Sequence, residues 1–347
     1  MTPNPLAGDL DRVLERTRGL WRELRGGRIF ITGGTGFIGS WLLETFVWAN
    51  ERLKLGACAT VLSRDPAAFA KKAPHLAGHS SLEWHTGEIR SFRFPRGDFS
   101  HLIHAAAETT AELNRKKPLV VLDSMTQGTR RVLDFTRRHK NAKFLFLSSG
   151  AVYGRQPHSL PRIPEDFLGT PDPAGPGAAY AEGKRLAELL CVLYGAKYGV
   201  QAKIARCFTL VGPYLPLDAH YAIGNFIRDG LAGGSIRVKS DGTPVRSYLY
   251  SADLAVWLWT ILFKGKPGRP YNVGSDRAVT VRELASAVAR VFRPKSGIRI
   301  EKKTSPGMAG DCYVPCVDRA KKELGLSRVF GLRRAIQKTI DWNHSIR

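Results

Sequence analysis

The sequence predicts an α/β fold, in which a doubly wound parallel sheet carries a smaller C-terminal lobe. Apolar segments of strand length alternate with helical segments through the first two thirds of the chain, which is typical of β-α-β units. The strand predicted at 28–32 runs into a glycine-rich turn that opens a helix. The 347 residues are too many for one small core, so we expect a second lobe.

A separate segment precedes the alternating elements. Apolar residues at helical spacing predict a helix over 9–24, and Gly26 and Gly27 end it. We interpret residues 1–27 as a helical extension that packs on the body of the protein or on a second subunit. A helix lying on a membrane surface is the less favoured interpretation.

The alternating elements follow in order. The predicted strands are 28–32, 59–62, 82–86, 101–104, 143–147 and 201–206. The predicted helices are 36–50, 128–139 and one that contains Tyr180. Residues 157–176 are rich in Pro, Gly and Asp and predict a loop over the sheet.

The alternation fades after Gly212 and Pro213, which sets the predicted domain boundaries. The larger domain takes residues 28–208, and 246–275 return to it. The smaller lobe takes residues 209–245 and 276–347.

Charge is the most unusual feature of the composition. Lys and Arg number 53 against 30 Asp and Glu, a net charge of +23. This excess fits an anionic substrate and cofactor, attraction to an acidic membrane face, or nucleic-acid binding. The basic residues are scattered, and the sequence shows no helix-turn-helix, zinc-finger or RNP-like signature. We therefore predict a basic solvated surface and no nucleic-acid partner.

Cysteine usage and hydropathy indicate a soluble, cytoplasmic protein. The five cysteines are an odd number spread along the chain, which favours free thiols in a reducing compartment. Cys312 and Cys316 form one close pair without supporting histidines, so no metal site is predicted. The first residues lack the apolar stretch of a secretory signal. The longest apolar run, 254–263, is half a membrane span and predicts a buried helix.

The glycine-rich turn indicates a dinucleotide site. Gly34, Gly36 and Gly39 satisfy the GxGxxG pattern, and Gly33 extends it. Glycine permits a tight turn and lets the backbone approach a pyrophosphate at the N-terminus of a helix. Because the pattern follows a strand and opens a helix, we predict an NAD(P) site in a Rossmann-type domain.

The end of the second predicted strand bears on which dinucleotide is bound. NAD sites usually place an acid there for the ribose 2′-hydroxyl, whereas NADP sites often place an arginine for the 2′-phosphate. Ser63 and Arg64 stand at this point, which favours NADP(H). Asp65 keeps NAD as the alternative, since it would reach the ribose if the strand ended a residue or two later. Arg64 would otherwise be a solvated loop residue.

A phenol and an ammonium one helical turn apart predict acid/base chemistry. Tyr180 and Lys184 lie on one helix face, and a tyrosine titrates near 10 unless a positive charge favours the phenolate. Lys184 supplies that charge. Ser149, at the end of the preceding strand, would hydrogen-bond the reacting oxygen. With the dinucleotide site, this set predicts hydride and proton transfer at a carbinol or ketone carbon.

Taken together, these motifs resemble the extended short-chain dehydrogenase/reductases of the NAD-dependent nucleotide-sugar epimerase/dehydratase type. The resemblance covers nearly everything from Arg28 to about Trp342. Besides the two motifs above it includes segments 87–90, 103–107, 147–154, 206–213, 225–227, 246–249, 253–255 and 271–274.

The resemblance implies a role for each matching residue. Ser149, Tyr180 and Lys184 match the catalytic triad, and Lys184 also holds the nicotinamide ribose. The predicted cofactor-binding residues are Gly33, Gly36, Phe37, Ile38, Gly39, Ser63, Arg64, Glu88, Ile89, Ala105, Ala106, Ala107, Tyr180 and Lys184. The predicted substrate-binding residues are Ser149, Gly150, Thr209, Asn225 and Arg246.

Asn225 and Arg246 match positions that grip the nucleotide and diphosphate of an NDP-sugar. Arginine suits this task because its planar fork meets a phosphate in two hydrogen bonds. A surface salt bridge is the alternative for Arg246.

Departures from the family pattern narrow the predicted activity. Gly150 and Ala151 stand where sugar 4,6-dehydratases carry an Asp-Glu pair, and Ala151 also replaces a glutamate of nucleotide-sugar decarboxylases. The stretch 180–190 nevertheless resembles the decarboxylases most. Further departures, which imply rearranged diphosphate contacts, are Met125, Thr209 and Met308.

We therefore predict an enzyme that acts at C4 of an NDP-hexose, as a 4-epimerase or as a 4-ketoreductase. An NADP site would favour the reductase. The alternatives are a 4,6-dehydratase or decarboxylase with atypical acid/base residues, and, in another class, a non-catalytic dinucleotide-binding scaffold. Supply of sugars for polysaccharide biosynthesis is the expected use.

The resemblance also implies a homodimer formed through the Tyr180 helix. Ala181, Gly183, Ala187 and Leu190 are the residues predicted to allow that contact.

Overall fold

A seven-stranded sheet is the framework of the chain in the computed structural model, which describes residues 4–107, 111–219, 221–292, 296–303 and 310–345. Its strands are β1 (Arg28–Thr32), β2 (Cys58–Ser63), β3 (Leu82–Thr86), β4 (His101–His104), β5 (Lys143–Ser149), β6 (Gln201–Cys207) and β11 (Pro270–Val273). They lie in the order β11-β6-β5-β4-β1-β2-β3. The pairs β1–β2, β1–β4, β2–β3 and β4–β5 are parallel. The predicted doubly wound α/β fold is confirmed.

Helices flank these strands, because strands buried on both faces need cover on both. The helices are α1 (Ala7–Thr17), α2 (Phe37–Arg52), α3 (Pro66–Lys72), α4 (Pro74–Ala77), α5 (Ala111–Lys116), α6 (Pro118–Thr136), α7 (Ala179–Tyr198), α8 (Ala222–Leu231), α9 (Ser251–Lys264), α10 (Val281–Ala289), α11 (Asp318–Leu324) and α12 (Leu332–Ser345). Short 3-10 turns occupy Arg18–Leu24, Gly150–Tyr153 and Pro176–Ala178.

The chain divides into two units. Unit 1 comprises Met1–Val152, Pro171–Arg206 and Ala255–Tyr271. Unit 2 comprises Tyr153–Thr170, Cys207–Leu254 and Asn272–Arg347. The predicted larger domain included residues 153–170, 207–208, 246–254 and 272–275, which the structure places in unit 2.

An aromatic cluster fills the core of unit 1 beneath the sheet. The ring of Phe30 on β1 lies 5.5 Å from that of Phe92 and 5.0 Å from that of Phe135 on α6. Phe99 packs 5.4 Å from Phe135. These rings are offset or edge-on, the arrangements that aromatic pairs prefer, so the loop that follows β3 is held against α6.

The N-terminal segment is part of unit 1. Trp21 is fully buried, and its ring lies 4.5 Å from that of Trp259 and 5.9 Å from that of Phe263, both on α9. Its indole Nε1 donates to Thr17 Oγ1 at 2.9 Å. Glu23 pairs with Lys143 at the start of β5. Of the three placements considered for this segment, the structure shows packing on the body of the protein.

Helix α7 presents two different faces. A Cβ added to Gly183 would lie 3.1 Å from Met125 Cβ on α6, and Ala187 is fully buried. The prediction that these two residues offer a subunit contact is therefore wrong, because they pack inside unit 1. Leu186, Leu189, Val192 and Leu193 form the exposed apolar face of the same helix.

Unit 2 is built from short strands. They are β7 (Leu210–Val211), β8 (Ile236–Val238), β9 (Val245–Arg246), β10 (Leu249–Tyr250), β12 (Val279–Thr280), β13 (Ile298–Ile300) and β14 (Cys312–Tyr313). Strand β9 pairs with both β12 and β14, β8 with β13 and β7 with β10. Thr280 and Glu283 cap the start of α10 reciprocally, in the arrangement called a capping box.

Helix α9 contains the apolar run at 254–263 and is almost entirely buried. Among the helices that the structure describes, none is both long and apolar enough to cross a membrane.

Candidate active site

The turn after β1 is closed by two glycines whose hydrogens face backbone. Gly33 has φ +72°, and an added Cβ would lie 2.5 Å from Ala106 N in the segment that follows β4. A Cβ on Gly39 would lie 2.1 Å from Gly33 O. Real Cβ atoms do not approach backbone so closely, so both positions require glycine. The turn is thus packed tightly against the first turn of α2 and the end of β4.

Gly36 differs from these two glycines. It is exposed, and among the described residues an added Cβ would meet only Gly33 O, at 3.4 Å. It is the N-cap of α2, and the described structure shows no side chain that caps this end and no acidic residue in the first turn. The amide groups of the first turn therefore carry the partial positive charge of a helix N-terminus towards open space. This end of α2 fits a pyrophosphate.

The ends of β1 and β4 are joined below this turn by a buried hydrogen-bond network. Thr32 Oγ1 lies 2.7 Å from His104 Nδ1 and accepts from Ala106 N at 3.2 Å. His104 Nε2 lies 3.0 Å from Thr129 Oγ1 on α6. Burial, and secondarily the charge of Lys184, lowers the pKa of His104 from 6.5 to about 3. The imidazole is therefore neutral and holds the two turns together. The sequence pattern predicted a role for the segment after β4 but gave no sign of this network.

The end of β2 places Ser63 and Arg64 at the rim of the sheet. The strand ends at Ser63, one residue later than predicted, and Ser63 is buried while Arg64 is exposed. Asp65 Oδ1 accepts from Ala68 N at 2.9 Å and so caps α3. This oxygen of the alternative acid is thus used by the neighbouring helix.

Glu88 and Ile89 follow β3, which lies beside β2. The Glu88 carboxylate accepts from Arg90 N at 2.8 Å and Arg90 Nε at 3.0 Å. Ile89 packs on Gly128 of α6, where an added Cβ would lie 3.0 Å from Ile89 Cγ1. Ala105, Ala106 and Ala107 are half-buried after β4. Phe37 and Ile38 are half-buried at the start of α2.

Lys184 is fixed between α7 and β5. It is 3 % exposed, its Nζ donates to Leu147 O at 2.6 Å, and it lies 4.8 Å from the centre of the Phe146 ring. Tyr180 is half-buried one turn earlier on α7. The carbonyl of Leu147 and the face of the Phe146 ring hold the ammonium group of Lys184 in a fixed position.

Ser149 ends β5, two residues after the carbonyl that holds Lys184. Its Oγ accepts from Ala151 N at 3.1 Å, and Gly150 opens a 3-10 turn. The Lys184 bond thus ties the end of β5, which carries Ser149, to the helix that carries Tyr180.

A second buried group that was not predicted from the sequence lies on α7, one turn after Lys184. Glu188, one turn after Lys184, accepts from Ser148 Oγ at 2.5 Å and pairs with Arg206 of β6 at 2.6 Å. The one available signal was a carboxylate four residues after Lys184, on the same side of the helix.

The predicted substrate-binding residues other than Ser149 and Gly150 belong to unit 2. Thr209 O accepts from Leu249 N at 3.1 Å, and Asn225 is half-buried in α8. Arg246 Nη2 lies 2.7 Å from Asp311 Oδ2, and Nη1 donates to Asp311 O and Val245 O, each at 2.8 Å. Its guanidinium therefore makes the salt bridge that was the alternative for this residue. Met308 lies outside the described residues.

Residues 29–274 match the NAD dependent epimerase/dehydratase family. The UDP-glucuronic acid decarboxylase 1 of Danio rerio is 28% identical over 317 residues, which cover 91% of this chain and 72% of the relative.

Solved structures of other proteins share the fold, and two of them serve as examples. A UDP-glucuronic acid 4-epimerase from Bacillus cereus, solved with UDP-glucuronic acid and NAD, has a TM-score of 0.78 at 21% identity and covers 92% of this chain and 100% of its own. The epimerase Mth375 of Methanothermobacter thermautotrophicus has a TM-score of 0.79 at 20% identity and covers 99% of this chain and 97% of its own.

The family match covers well over half of the chain and includes the glycine turn, the β5 end and the Tyr180 helix. The resemblance drawn from the sequence is thereby confirmed. The chain belongs to the NAD dependent epimerase/dehydratase family and is an enzyme of the extended short-chain dehydrogenase/reductase type.

Proposed function

We propose that this enzyme acts at C4 of a nucleoside-diphosphate hexose, as a 4-epimerase or a 4-ketoreductase, with Tyr180 as the acid/base. The observation that carries the proposal is the bond from Lys184 Nζ to Leu147 O. It ties the Tyr180 helix to the strand end that bears Ser149.

Lys184 and Ser149 prepare Tyr180 for proton transfer. The fixed charge of Lys184, one turn from Tyr180, favours the phenolate and lets the tyrosine take a proton from a sugar hydroxyl near neutral pH. Ser149 donates a hydrogen bond to the same sugar oxygen. When the reaction runs towards the alcohol, Tyr180 returns the proton.

The dinucleotide, when bound, supplies the hydride acceptor or donor for C4. Gly33, Gly36, Phe37, Ile38 and Gly39 would hold its pyrophosphate, where the uncapped end of α2 fits an anion. Glu88 and Ile89 would line the adenine, Ala105–107 the middle of the cofactor, and Tyr180 with Lys184 the nicotinamide ribose.

We infer that NADP(H) is preferred over NAD(H). Arg64 is the exposed charged side chain directly after β2, whereas Asp65 caps α3. An arginine at this strand end suits the 2′-phosphate of NADP. The family is described as NAD dependent, and the Bacillus cereus structure contains NAD, so the preference is a property to test on this chain.

We propose decarboxylation of a hexuronic acid as the second candidate. Relatives that align with about nine tenths of the chain are UDP-glucuronic acid decarboxylases. Oxidation at C4 of such a sugar gives a β-keto acid, which loses CO2 readily, so this reaction shares its first step with epimerisation. Against it, Gly150 and Ala151 offer no carboxyl group to return a proton to C5.

We also propose that the enzyme is a homodimer joined through the exposed apolar face of α7. Leu189 and Leu193 are each about half exposed on this helix, and Leu119 of α6 is 74% exposed. Apolar side chains grouped on one pair of helices are typical of a protein–protein contact.

Purified enzyme incubated with UDP-glucose, UDP-glucuronic acid or dTDP-4-keto-6-deoxyglucose, each with NAD or NADPH, tests the function. A C4 epimer from either UDP-sugar supports the epimerase, and oxidation of NADPH by the keto sugar supports the reductase. Release of CO2 from UDP-glucuronic acid supports the second candidate. Tyr180→Phe and Lys184→Met are expected to lose at least about a hundredfold in turnover. Absence of all three reactions would contradict the proposal.

A further inference from the structure

The end of β5 is tied to α7 at two points one helical turn apart. Leu147 O accepts from Lys184 Nζ at 2.6 Å, and the next residue, Ser148, donates from Oγ to Glu188 Oε1 at 2.5 Å. Ser149 follows directly. Lys184 and Glu188 are four residues apart, so they lie on one side of the helix. Two consecutive residues before Ser149, Leu147 and Ser148, are thus hydrogen-bonded to α7.

Arg206 fixes Glu188 from the neighbouring strand β6. Its Nε lies 3.0 Å from Oε1 and 3.2 Å from Oε2, and its Nη2 lies 2.6 Å from Oε2. The side chains of Arg206 and Glu188 are only 15% and 11% exposed. Hydrogen bonds to both of its oxygens hold the Glu188 carboxylate in one orientation. Glu188 therefore connects the ends of β5 and β6 to α7.

The network alternates in charge: Lys184 is positive, Glu188 negative and Arg206 positive. Neighbouring groups respond to these charges. The pKa of Cys191 on α7 is raised, chiefly by burial and then by the charge of Glu188; the charge of Lys184 acts in the opposite direction. Burial and Lys184 lower the pKa of His104 on β4. On α6, Asp134 accepts from Tyr194 OH at 2.9 Å, at the far end of α7.

We propose that Glu188 is a positioning residue for the reaction. It holds the end of β5 in register with α7, so that Ser149 and the Tyr180–Lys184 face keep their relative placement, and it offsets the charge of Arg206 close to Lys184. This inference rests on the proposed function. It goes beyond that function because Glu188, Ser148 and Arg206 need not touch the substrate.

Charge-changing variants separate this role from simple packing. Glu188→Gln leaves Arg206 unbalanced, which favours the phenolate of Tyr180. Arg206→Gln leaves the negative charge of Glu188 without its partner, which disfavours the phenolate of Tyr180. Eight residues of helix separate Tyr180 from Glu188 by about 12 Å, so each change is expected to move the Tyr180 titration by a few tenths of a pH unit to about one unit. The double variant removes both charges, so the network keeps the net charge of the wild type, and it is expected to titrate like the wild type.

The readout needs no turnover. Protein labelled with 13C at the tyrosine Cζ is titrated by NMR, and Tyr180→Phe identifies the Tyr180 signal. Glu188→Gln is expected to shift its midpoint down and Arg206→Gln up. Shifts of equal sign, or none, in variants with wild-type circular dichroism would overturn the charge role.

Ser148→Ala tests the tether alone, since both charges remain. It is expected to lower kcat about tenfold, with KM and the Tyr180 midpoint unchanged. Wild-type kcat would overturn the positioning role. Should a charge variant fail to fold, Glu188→Asp replaces it. This change keeps the charge but shortens the side chain, so it is expected to lower kcat without moving the midpoint, and unchanged kcat would count against the proposal.

The two proposals fail in different ways. If the titration moves as expected but the wild type converts no nucleotide sugar, the proposed function fails and the network stands. If the wild type converts a sugar but the variants neither shift the titration nor lose kcat, Glu188 has no positioning role.

Discussion

Thr32 Oγ1 and His104 Nδ1 lie 2.7 Å apart at the ends of two adjacent parallel strands, directly below the glycine turn. His104 is almost fully buried, as is His101 at the other end of the same strand. Burial lowers the pKa of each from 6.5 to about 3, helped by Lys184 for His104 and by Lys143 and Lys203 for His101. Strand β4 thus begins and ends with a neutral histidine.

The two buried histidines of β4 predict that the protein is less stable in acid. Below pH 6.5 the unfolded chain takes up protons that the folded protein does not bind until about pH 3. The two histidines therefore leave the free energy of unfolding unchanged above pH 6.5. Below pH 6.5 they lower it, each by at most about 1.4 kcal/mol per pH unit. Urea unfolding from pH 7 to pH 4 measures the slope. His101→Gln is expected to flatten this slope, because it removes one of the two groups with a lowered pKa.

Two glycine substitutions distinguish the fold of the turn from its binding capacity. Gly36→Ala is expected to leave the melting temperature within about 2 °C but to raise the dissociation constant for dinucleotide at least about tenfold, because the new methyl occupies the space above the helix end. Gly39→Ala is expected to lose both stability and binding, since its Cβ meets Gly33 O. Gly8→Ala, in open space on α1, is the control. Unimpaired binding by Gly36→Ala would place the dinucleotide elsewhere.

Arg64→Ala tests the preference for NADP(H). Loss of a charge-assisted contact to a 2′-phosphate is expected to raise the dissociation constant for NADPH about tenfold, and that for NADH less than twofold. Titration of cofactor fluorescence measures both constants. Equal effects on the two cofactors would show that Arg64 does not read the 2′-phosphate.

The exposed face of α7 predicts the oligomeric state. Leu189→Asp combined with Leu193→Asp is expected to convert a dimer into a 38.3 kDa monomer. Light scattering after gel filtration gives the mass. Leu168, in a loop of unit 2, is 91% exposed, and its change to Asp is the matched control. A wild-type monomer would refute this part of the proposal.

Trp21 predicts that the N-terminal segment supports unit 1. Trp21→Ala is expected to lower the free energy of unfolding by about 3–5 kcal/mol, because it empties a site packed against Trp259 and Phe263. Denaturant unfolding measures the loss. Trp48→Phe removes the indole bond to Asp11 at a more exposed position and leaves an aromatic ring beside Arg52, so it is expected to cost about 1 kcal/mol or less. Similar losses in both variants would show that Trp21 makes no special contribution.

The sequence predicted those parts of the fold that have a local signal. Strand 28–32 was predicted residue for residue, because an apolar run stops at a glycine turn. Helix α6 begins ten residues before its predicted start and ends three before its predicted end. Pro118 at its first position was the overlooked signal, since proline favours the first turn of a helix.

Long-range partners could not be predicted from sequence spacing. Spacing places Glu188 on the Lys184 side of α7, but it does not show that Ser148 and Arg206 meet it there. In the same way, Arg246 forms an ion pair with Asp311, which is 65 residues away in the sequence. Such pairs depend on strand order and side-chain direction, which only the folded sheet supplies.

The packing of Trp21 on Trp259 also constrains how the chain can fold. Unit 1 is assembled from three separated stretches, and the last of them contains Trp259. During synthesis, the apolar side of the N-terminal segment therefore lacks this cover until most of the polypeptide has left the ribosome. Contacts so distant in sequence make folding slow and leave apolar surface open to aggregation in the meantime. We therefore expect the chain to need chaperones while it is being synthesised.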